Sequence, residues 1–160
     1  MPERKRHGKT QPGAWREISS AAQAEAFVRQ VAGFHDSCVK ELHYLSGAYV
    51  NADLAMHPVN ESRRLRMVMQ QQNGALPAYE MEFSRLLWLK LAPSDEAYTC
   101  EILDASLFFQ EGQIYWCDCG GLGVEDLTAY SGTVICAEAL RWRPLAGALG
   151  SAPQYTSSKD

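Results

Sequence analysis

The sequence lacks the features that mark membrane proteins, secreted proteins and most enzymes. Its first 30 residues hold no apolar segment of the signal-peptide kind, and its longest apolar stretch, at Leu86-Leu87-Trp88, is interrupted by Lys90. Its five cysteines are an odd number without Cys-x-x-Cys spacing, which is typical of reduced thiols in a cytosol. We therefore expect a cytoplasmic protein that does not enter a membrane.

Positive charge is scarce outside the N-terminal segment. The whole chain has a formal net charge of −4, and residues 1–13 carry four of its Lys and Arg but only one acid. The rest of the chain has eleven basic and eighteen acidic residues, which gives it a net charge of −7. Nucleic-acid binding needs a basic face, so this acidic body argues against that class and favours a basic protein partner.

Two terminal segments are poor in large apolar residues. Residues 1–13 are polar and basic, and residues 144–160 are mostly Pro, Ala, Gly and Ser. Such segments bury too little surface to offset the entropy that ordering costs. We predict disordered tails at 1–13 and 144–160, flanking a single domain at 14–143 that is long enough for one core.

One amphipathic helix is predicted at residues 20–33. Apolar side chains recur at i, i+3, i+4 and i+7 from Ala24, which is the spacing of one helix face. Ser20 and Gln23 form a capping box at its start, and Gly33 is a natural C-terminal stop.

After Ser37 the apolar spacing changes to two, which predicts β-strands joined by short loops. The predicted strands cover residues 38–50, 53–57, 63–71, 78–90, 98–109, 113–119 and 133–142. Short loops favour antiparallel neighbours. The predicted class is α+β and mostly β, with a curved antiparallel sheet or two-layer sandwich on which the N-terminal helix packs.

The hairpin around Asn73-Gly74 allows its register to be predicted. An odd loop centred on Gly74 places Met67 opposite Met81 and sets Arg66 opposite Glu82 on the other face. We expect that charged pair to lie on an outer, solvated face, where it contributes about 0.2–1 kcal/mol.

His35 and Asp36 are the only adjacent His-Asp pair in the sequence. A carboxylate beside a histidine can tune a general base, so these two are the candidate catalytic residues, with Tyr44 as a candidate binding residue. In the competing structural interpretation, Asp36 caps a turn and His35 fills a polar gap between helix and sheet. No motif ties a serine or cysteine nucleophile to the pair.

Asp104 and Asp118 are further candidate binding residues, in the hairpin around Glu111-Gly112. A three-residue loop would set the two carboxylates opposite each other, where they would share a proton or a cation. A two-residue loop places them on opposite faces and pairs Leu107 with Trp116. We favour the two-residue loop, which leaves the aspartates as members of an acidic patch.

Cys117 and Cys119 are the candidate metal ligands, because alternate residues of a strand point to the same side. A zinc site needs two more ligands, which the sequence does not place. Buried cysteine otherwise packs as a small apolar residue, and we predict core packing without metal or cofactor.

The segment Phe34-His35-Asp36-Ser37 resembles a loose group of small bacterial β-rich proteins that begin with a helix and carry a Phe-His-Asp segment. Residues 101–105 (EILDA) and 114–118 (IYWCD) fit the same pattern, which spans roughly residues 25–120. Some members resemble immunity proteins of bacterial toxin systems. The resemblance implies a fold more than an activity, and it implies no catalytic residues.

Three functional hypotheses follow. The leading one is a non-enzymatic, immunity-like protein-binding domain that uses an acidic surface. The second is a small-molecule-binding or hydrolytic domain centred on His35 and Asp36, which a deep pocket beside residues 35–44 would favour. The third is a structural homodimer joined through an exposed strand edge.

Overall fold

The computed structural model describes residues 11–155 of the chain. Its helical elements are α1 (Ala21–Gln30) and two single 3-10 turns, Ala32–Phe34 and Val124–Asp126. Its strands are β1 (Gln11–Pro12), β2 (Arg16–Ile18), β3 (Ser37–Leu45), β4 (Tyr49–Val50), β5 (Met56–His57), β6 (Arg64–Gln71), β7 (Ala78–Lys90), β8 (Ser106–Gln110), β9 (Gln113–Cys117) and β10 (Val134–Ala146).

The predicted fold class is confirmed, since one helix packs on a mostly antiparallel sheet. The main sheet has the strand order β3-β6-β7-β10-β9-β8, and the short strands β1 and β2 both pair with β10. Strands β4 and β5 form a separate two-stranded hairpin. Within residues 11–155, no helix is long and apolar enough to cross a membrane.

Helix α1 begins at its predicted cap. The backbone N–H of Gln23 donates to Ser20 Oγ at 3.2 Å, while Gln23 Oε1 accepts from the Ser19 backbone N–H at 2.8 Å. The helix ends at Gln30 rather than Gly33, and the 3-10 turn Ala32–Phe34 occupies the rest of the predicted span. Phe27 anchors the helix to the sheet, with its ring stacked on Trp142 at a centroid distance of 4.6 Å.

Both predicted hairpin registers are confirmed. Antiparallel pairing joins Met67 to Met81, Met69 to Tyr79, Arg66 to Glu82, Leu107 to Trp116, and Phe109 to Ile114. The second hairpin is shorter than predicted, because β8 begins at Ser106 and the preceding residues 91–105 form a loop with an isolated bridge at Ile102. The apolar run at 86–89 is a natural candidate for burial on both faces of the sheet, but Leu87 and Trp88 are 38% and 40% exposed.

Residues 11–13 and 144–155, which were predicted to belong to disordered tails, are part of the fold. Strand β10 continues through Pro144 to Ala146 and pairs there with β1. Ala148 is fully buried, and the Tyr155 hydroxyl donates to Glu80. The small residues at 144–155 form a thin cover over the sheet face opposite α1. The rest of the predicted tails, at 1–10 and 156–160, lies outside the described residues.

That second sheet face carries a layer of ion pairs, which we call the arginine layer. It consists of Glu80 and Glu82 on β7 with Arg64, Arg66, Arg141 and Arg143 on the neighbouring strands. Glu82 accepts from Arg66 Nε at 2.6 Å and from Arg141 Nη2 at 2.7 Å, and its side chain is 2% exposed. The Glu82 carboxylate is therefore buried and Arg66 is half-buried, so the pair does not lie on a solvated outer face as predicted. The ring of Trp15 covers the guanidinium groups of Arg141 and Arg143, at 4.3 and 4.1 Å.

Candidate functional site: an acidic groove at the helix–sheet junction

The backbone between α1 and β3 has an unusual conformation. Positive φ angles occur at Ala32 (53°), Gly33 (65°), Phe34 (64°) and Asp36 (54°), and three of these four residues carry a Cβ that disfavours this region. Packing holds the conformation in place. Phe34 is fully buried, with its ring edge-on to Phe27 at 5.9 Å and to Trp116 at 6.2 Å. Such strain persists only where the surroundings fix it, and it is often found at binding sites.

Hydrogen bonds tie this junction to the loop before β8. Ser37 and Ile102 exchange two backbone bonds, at 2.7 and 3.4 Å, and the Ala105 N–H donates to the Gly33 carbonyl at 3.1 Å. The Asp36 carbonyl accepts from the Gln72 N–H at 3.0 Å. The junction, the end of β6 and the loop at 98–105 therefore meet at one place.

A groove of about 700 Å³ opens at this meeting point. Two carboxylates, Asp36 and Glu101, line it, together with the polar residues Gln70, Gln71, Gln72, Ser37 and Thr99, the thiols of Cys38 and Cys100, and the larger side chains Tyr98 and Leu149. No lysine or arginine is among these lining residues. Tyr98 is 76% exposed, which leaves its ring face open. The volume lies in the range of ordinary ligand sites, about 300–1,000 Å³.

His35 lies beside the groove with both ring nitrogens engaged. Its Nδ1 is 2.6 Å from the Leu103 carbonyl, and its Nε2 is 3.4 Å from Asp36 Oδ1. The Leu103 carbonyl and the Asp36 charge raise the pKa of His35 above its usual 6.5, with smaller contributions from Glu101 and Asp104. A general base needs a neutral imidazole with an accessible lone pair. The contacts of His35 therefore shift its protonation equilibrium towards the imidazolium, which is the form that cannot accept a proton.

Asp104 and Asp118 do not form a carboxylate pair, as the favoured register predicts. Asp104 Oδ1 accepts from the Gly120 N–H at 3.2 Å. Asp118 Oδ1 accepts from the Tyr130 hydroxyl at 2.5 Å and from the Thr133 N–H at 3.1 Å. Asp104 contributes to the negative potential at His35, whereas Asp118 fixes the connection that leads into β10.

Tyr44 does not belong to this site. It pairs with Leu65 near the C-terminal end of β3, whereas Asp36 and Ser37 lie at the strand's N-terminal end. Tyr44 is seven positions after Ser37 on the strand, a distance of about 23 Å at the usual rise per residue. The expectation that Tyr44 lies near the His-Asp pair is therefore wrong, because the strand is extended.

Of the two candidate metal ligands, Cys117 packs in a hydrophobic cluster, whereas Cys119 is half-buried just after the end of β9. Cys117 is fully buried, its Sγ donates to the Cys119 carbonyl at 3.3 Å, and burial raises the pKa of its thiol. Residues 11–155 contain no group of three or more His, Cys, Asp or Glu side chains placed to hold a metal ion.

A second, more apolar hollow of about 340 Å³ lies between β3 and the loop after β7. Its walls are Val39, Leu42, Met67, Leu91, Ala92, Pro93, Ser94, Cys100, Ile102, Asp118 and Thr133. Cys100 lines both the hollow and the groove, so the two spaces are neighbours.

Sequence reasoning missed most of the groove lining. Gln70 and Gln71 are predicted only as the end of the strand at 63–71, and Tyr98 as the start of the strand at 98–109, which forms only from Ser106. The triple glutamine followed by a turn was the one available signal, because amide side chains can both donate and accept hydrogen bonds. The convergence of that end with loop 98–105 depends on tertiary contacts.

Comparisons of the chain with protein-family models, with curated proteins and with solved structures found no match. The resemblance based on residues 34–37 therefore stays a prediction.

Proposed function

We propose that this chain is a non-enzymatic protein-binding domain whose acidic groove receives a basic segment of a partner protein. The proposal depends mainly on one observation, the groove lined by Asp36 and Glu101 without a lining lysine or arginine. An immunity-like inhibitor, which masks a basic face of a toxin, is the form of this function that the sequence resemblance implies.

The electrostatics of the groove support a cationic ligand. The cation nearest along β3, Lys40, is occupied, since its Nζ donates to the Ser151 carbonyl at 2.8 Å. The pKa of His35 is raised mainly by its hydrogen bond to the Leu103 carbonyl, and the negative charges of Asp36, Glu101 and Asp104 raise it further. The open ring of Tyr98 adds a surface on which a lysine or arginine side chain can make a cation–π contact.

The hydrolytic alternative receives less support from the geometry. Both nitrogens of His35 are engaged, and the adjacent Ser37 hydroxyl is buried and donates to the Phe34 carbonyl at 2.5 Å. Nucleophilic catalysis needs a nucleophile within hydrogen-bond reach of its base. Among the described residues, no serine or cysteine side chain is hydrogen-bonded to His35.

The test uses a charge-matched pair of double variants and a labelled peptide of alternating lysine and alanine. Asp36→Asn with Glu101→Gln removes two charges from the groove, whereas Glu25→Gln with Glu111→Gln removes two exposed charges elsewhere. Each exposed ion pair contributes about 0.2–1 kcal/mol, so the groove variant is expected to weaken peptide binding about 2- to 30-fold. The control variant is expected to bind like the parent chain.

Fluorescence anisotropy at fixed ionic strength measures both affinities, and a glutamate–alanine peptide serves as the negative probe. Equal losses in the two double variants would mean that net charge, not the groove, attracts the peptide. A pull-down with a panel of basic toxin domains then addresses the immunity-like form, and absence of any groove-dependent complex would count against it.

The apolar hollow favours a second candidate function, the binding of a small apolar molecule. Its lining is mainly aliphatic with a few polar groups, which is the usual composition of small-molecule sites. Octanol is a suitable probe, and Leu42→Trp should fill the hollow. If octanol raises the melting temperature of the parent chain but not that of the Leu42→Trp variant, the result supports this function. If octanol raises the melting temperature of neither protein, this function is eliminated for small apolar alcohols.

A further inference from the structure

A small hairpin projects from the sheet between β3 and β6, and we call residues 46–62 the arm. Its base is closed where the Ser62 and Arg63 N–H groups donate to the Ser46 carbonyl, at 3.0 and 3.1 Å. Its two strands, β4 and β5, pair only with each other among the described residues. The arm therefore projects from the domain and is not part of its core.

The arm and the end of β3 that leads into it expose large apolar side chains at an unusual density. Seven such residues occur between positions 44 and 59. They are Tyr44 (46% exposed), Leu45 (46%), Tyr49 (56%), Val50 (50%), Leu54 (85%), Met56 (65%) and Val59 (51%).

The tip of the arm is held in a defined conformation. Asn51 Oδ1 accepts from the N–H groups of Asp53 and Ala55, at 3.0 and 2.9 Å, and the Leu54 N–H donates to the Asn51 carbonyl at 3.0 Å. Leu54 has a φ of 64°, which a leucine rarely adopts, and this conformation leaves its side chain in solvent. An apolar side chain fixed in this way loses little further freedom on binding.

The exposed apolar area of the arm suits an interface that engages both of its faces. With about 150–250 Å² for a large aromatic side chain when fully exposed, and less for the aliphatic ones, the seven residues leave at most about 800 Å² uncovered. Consecutive strand residues such as Tyr44 and Leu45 point to opposite sides, so this area is divided between the two faces. A specific protein–protein interface buries about 800 Å² on each partner.

Charge decides which kind of partner suits this surface. The body outside residues 1–13 has a net charge of −7, so most faces of two copies repel each other. The arm has two acidic residues, Asp53 and Glu61, and Arg63 follows at its base, whereas Arg64 belongs to the arginine layer. With Arg63 included the arm is close to neutral, at a net charge of −1, and two copies can meet there without juxtaposing their acidic grooves.

The adjacent strand edge is also open. β3 is the last strand of the sheet, and within residues 11–155 its outer edge makes only the isolated Ser37–Ile102 bridge. A bulge after Val39 and the charges of Lys40 and Glu41 protect the first half of that edge. The second half, residues 42–45, has neither protection and runs directly into the arm.

From the exposed area, the neutral charge and the open edge, we propose that a second copy of this chain docks on the arm and on residues 42–45 of β3. The pairing is isologous, with each arm packing against the arm of the other copy about a two-fold axis. The acidic grooves, at the other end of β3, stay free in this dimer. The inference goes beyond the proposed binding function and does not depend on it.

Sedimentation velocity from micromolar to submillimolar concentration tests the proposal on the full chain. A reversible monomer–dimer equilibrium is expected. Leu54→Ser removes a leucine from the interface and should raise the dimer dissociation constant about 10- to 100-fold. Leu103→Ser is the matched control, because Leu103 is also an exposed leucine (65%) but lies outside the arm.

Hydrogen exchange at low and high protein concentration provides a readout that does not depend on a variant. Amides at 42–57 should gain protection as concentration rises, while those of loop 98–105 should not. A monomer at all concentrations would overturn the proposal, as would equal effects of Leu54→Ser and Leu103→Ser. Protection of the arm only on addition of a different protein would assign it to a heterologous partner and would also overturn the proposal. Peptide binding to the groove is measured separately, so the two proposals fail independently.

Discussion

Replacement of Glu82 by alanine tests how the arginine layer stabilises the fold. The Glu82 carboxylate accepts from Arg66 Nε at 2.6 Å and from Arg141 Nε at 2.8 Å, and its side chain is 2% exposed. Removing it leaves two guanidinium groups on a covered sheet face without their counter-ion. Breaking a buried pair in this way costs about 3–5 kcal/mol. Because Arg66 and Arg141 are 29% and 32% exposed, water can hydrate them in part, and we expect a loss of about 3 kcal/mol, at the low end.

The same two strands supply an internal control. Arg85 on β7 and Glu138 on β10 form a pair at 2.5 Å, as short as the contacts of Glu82, but their side chains are 55% and 40% exposed. Exposed pairs contribute about 0–1 kcal/mol because water screens them. Glu138→Ala should therefore cost less than about 1 kcal/mol. The comparison separates burial from distance as the cause of stabilisation.

Urea unfolding at neutral pH, followed by tryptophan fluorescence, measures both variants. With a slope of about 1–3 kcal/mol per molar urea, Glu82→Ala should lower the midpoint by about 1–3 M while the slope stays unchanged. A Glu82→Ala loss no larger than that of Glu138→Ala would refute the reasoning, since burial would then have no effect. Glu82→Gln is a useful third variant, because it keeps the shape of the side chain and removes only its charge.

Three further predictions concern the junction and the covered sheet face. NMR titration should give His35 a pKa above 6.5, and Asp36→Asn should lower that pKa. The stabilisation from the imidazolium is present below pH 6.5 and is lost as the pH rises through the folded-state pKa. A titration at the usual pKa would contradict the described contacts of His35. Trp15→Ala should cost about 1–2 kcal/mol in urea unfolding because it removes the ring above the guanidinium groups, and a neutral effect would mean that the ring contributes no net stability. Gly120→Ala should cost about 0.5–1.5 kcal/mol, because its Cβ would lie 2.0 Å from Asp104 Oδ2 and the exposed Asp104 side chain can turn away at the cost of its hydrogen bond to the Gly120 N–H; in the Asp104→Ala background the same substitution should cost less.

Local patterns were sufficient to predict the strands and hairpins that surround the junction. The register of β6 and β7 follows from parity, because only an odd loop places Met67 and Met81 together on the core face. The same reasoning chose the register of β8 and β9 and correctly separated Asp104 from Asp118. These predictions succeeded because each depends on the alternation of side chains within one hairpin.

The arginine layer and the terminal cover were not predictable in this way. Arg141 and Arg143 are more than 55 residues from Glu82 and Glu80 in the sequence, so nothing local indicates that they meet. The segment after Pro144 looks unstructured by composition, but small side chains such as Ala148 are what a thin cover over a charged face requires. The groove depends on the same kind of long-range contact, since Asp36 and Glu101 are brought together by the Ser37–Ile102 bridge and by the hydrogen bonds beside it.

The arginine layer also affects how the surface charge should be interpreted. Half of the ten Lys and Arg in residues 11–155 form ion pairs with carboxylates on β7 and β10, namely Arg64, Arg66, Arg85, Arg141 and Arg143. Few cations remain for the rest of the surface, where Asp36, Glu101 and Asp104 gather. At physiological ionic strength, charges interact appreciably only within about 8 Å. A basic ligand at the groove therefore senses these nearby carboxylates much more than the total charge of the chain, and two variants of equal net charge should differ in affinity for it.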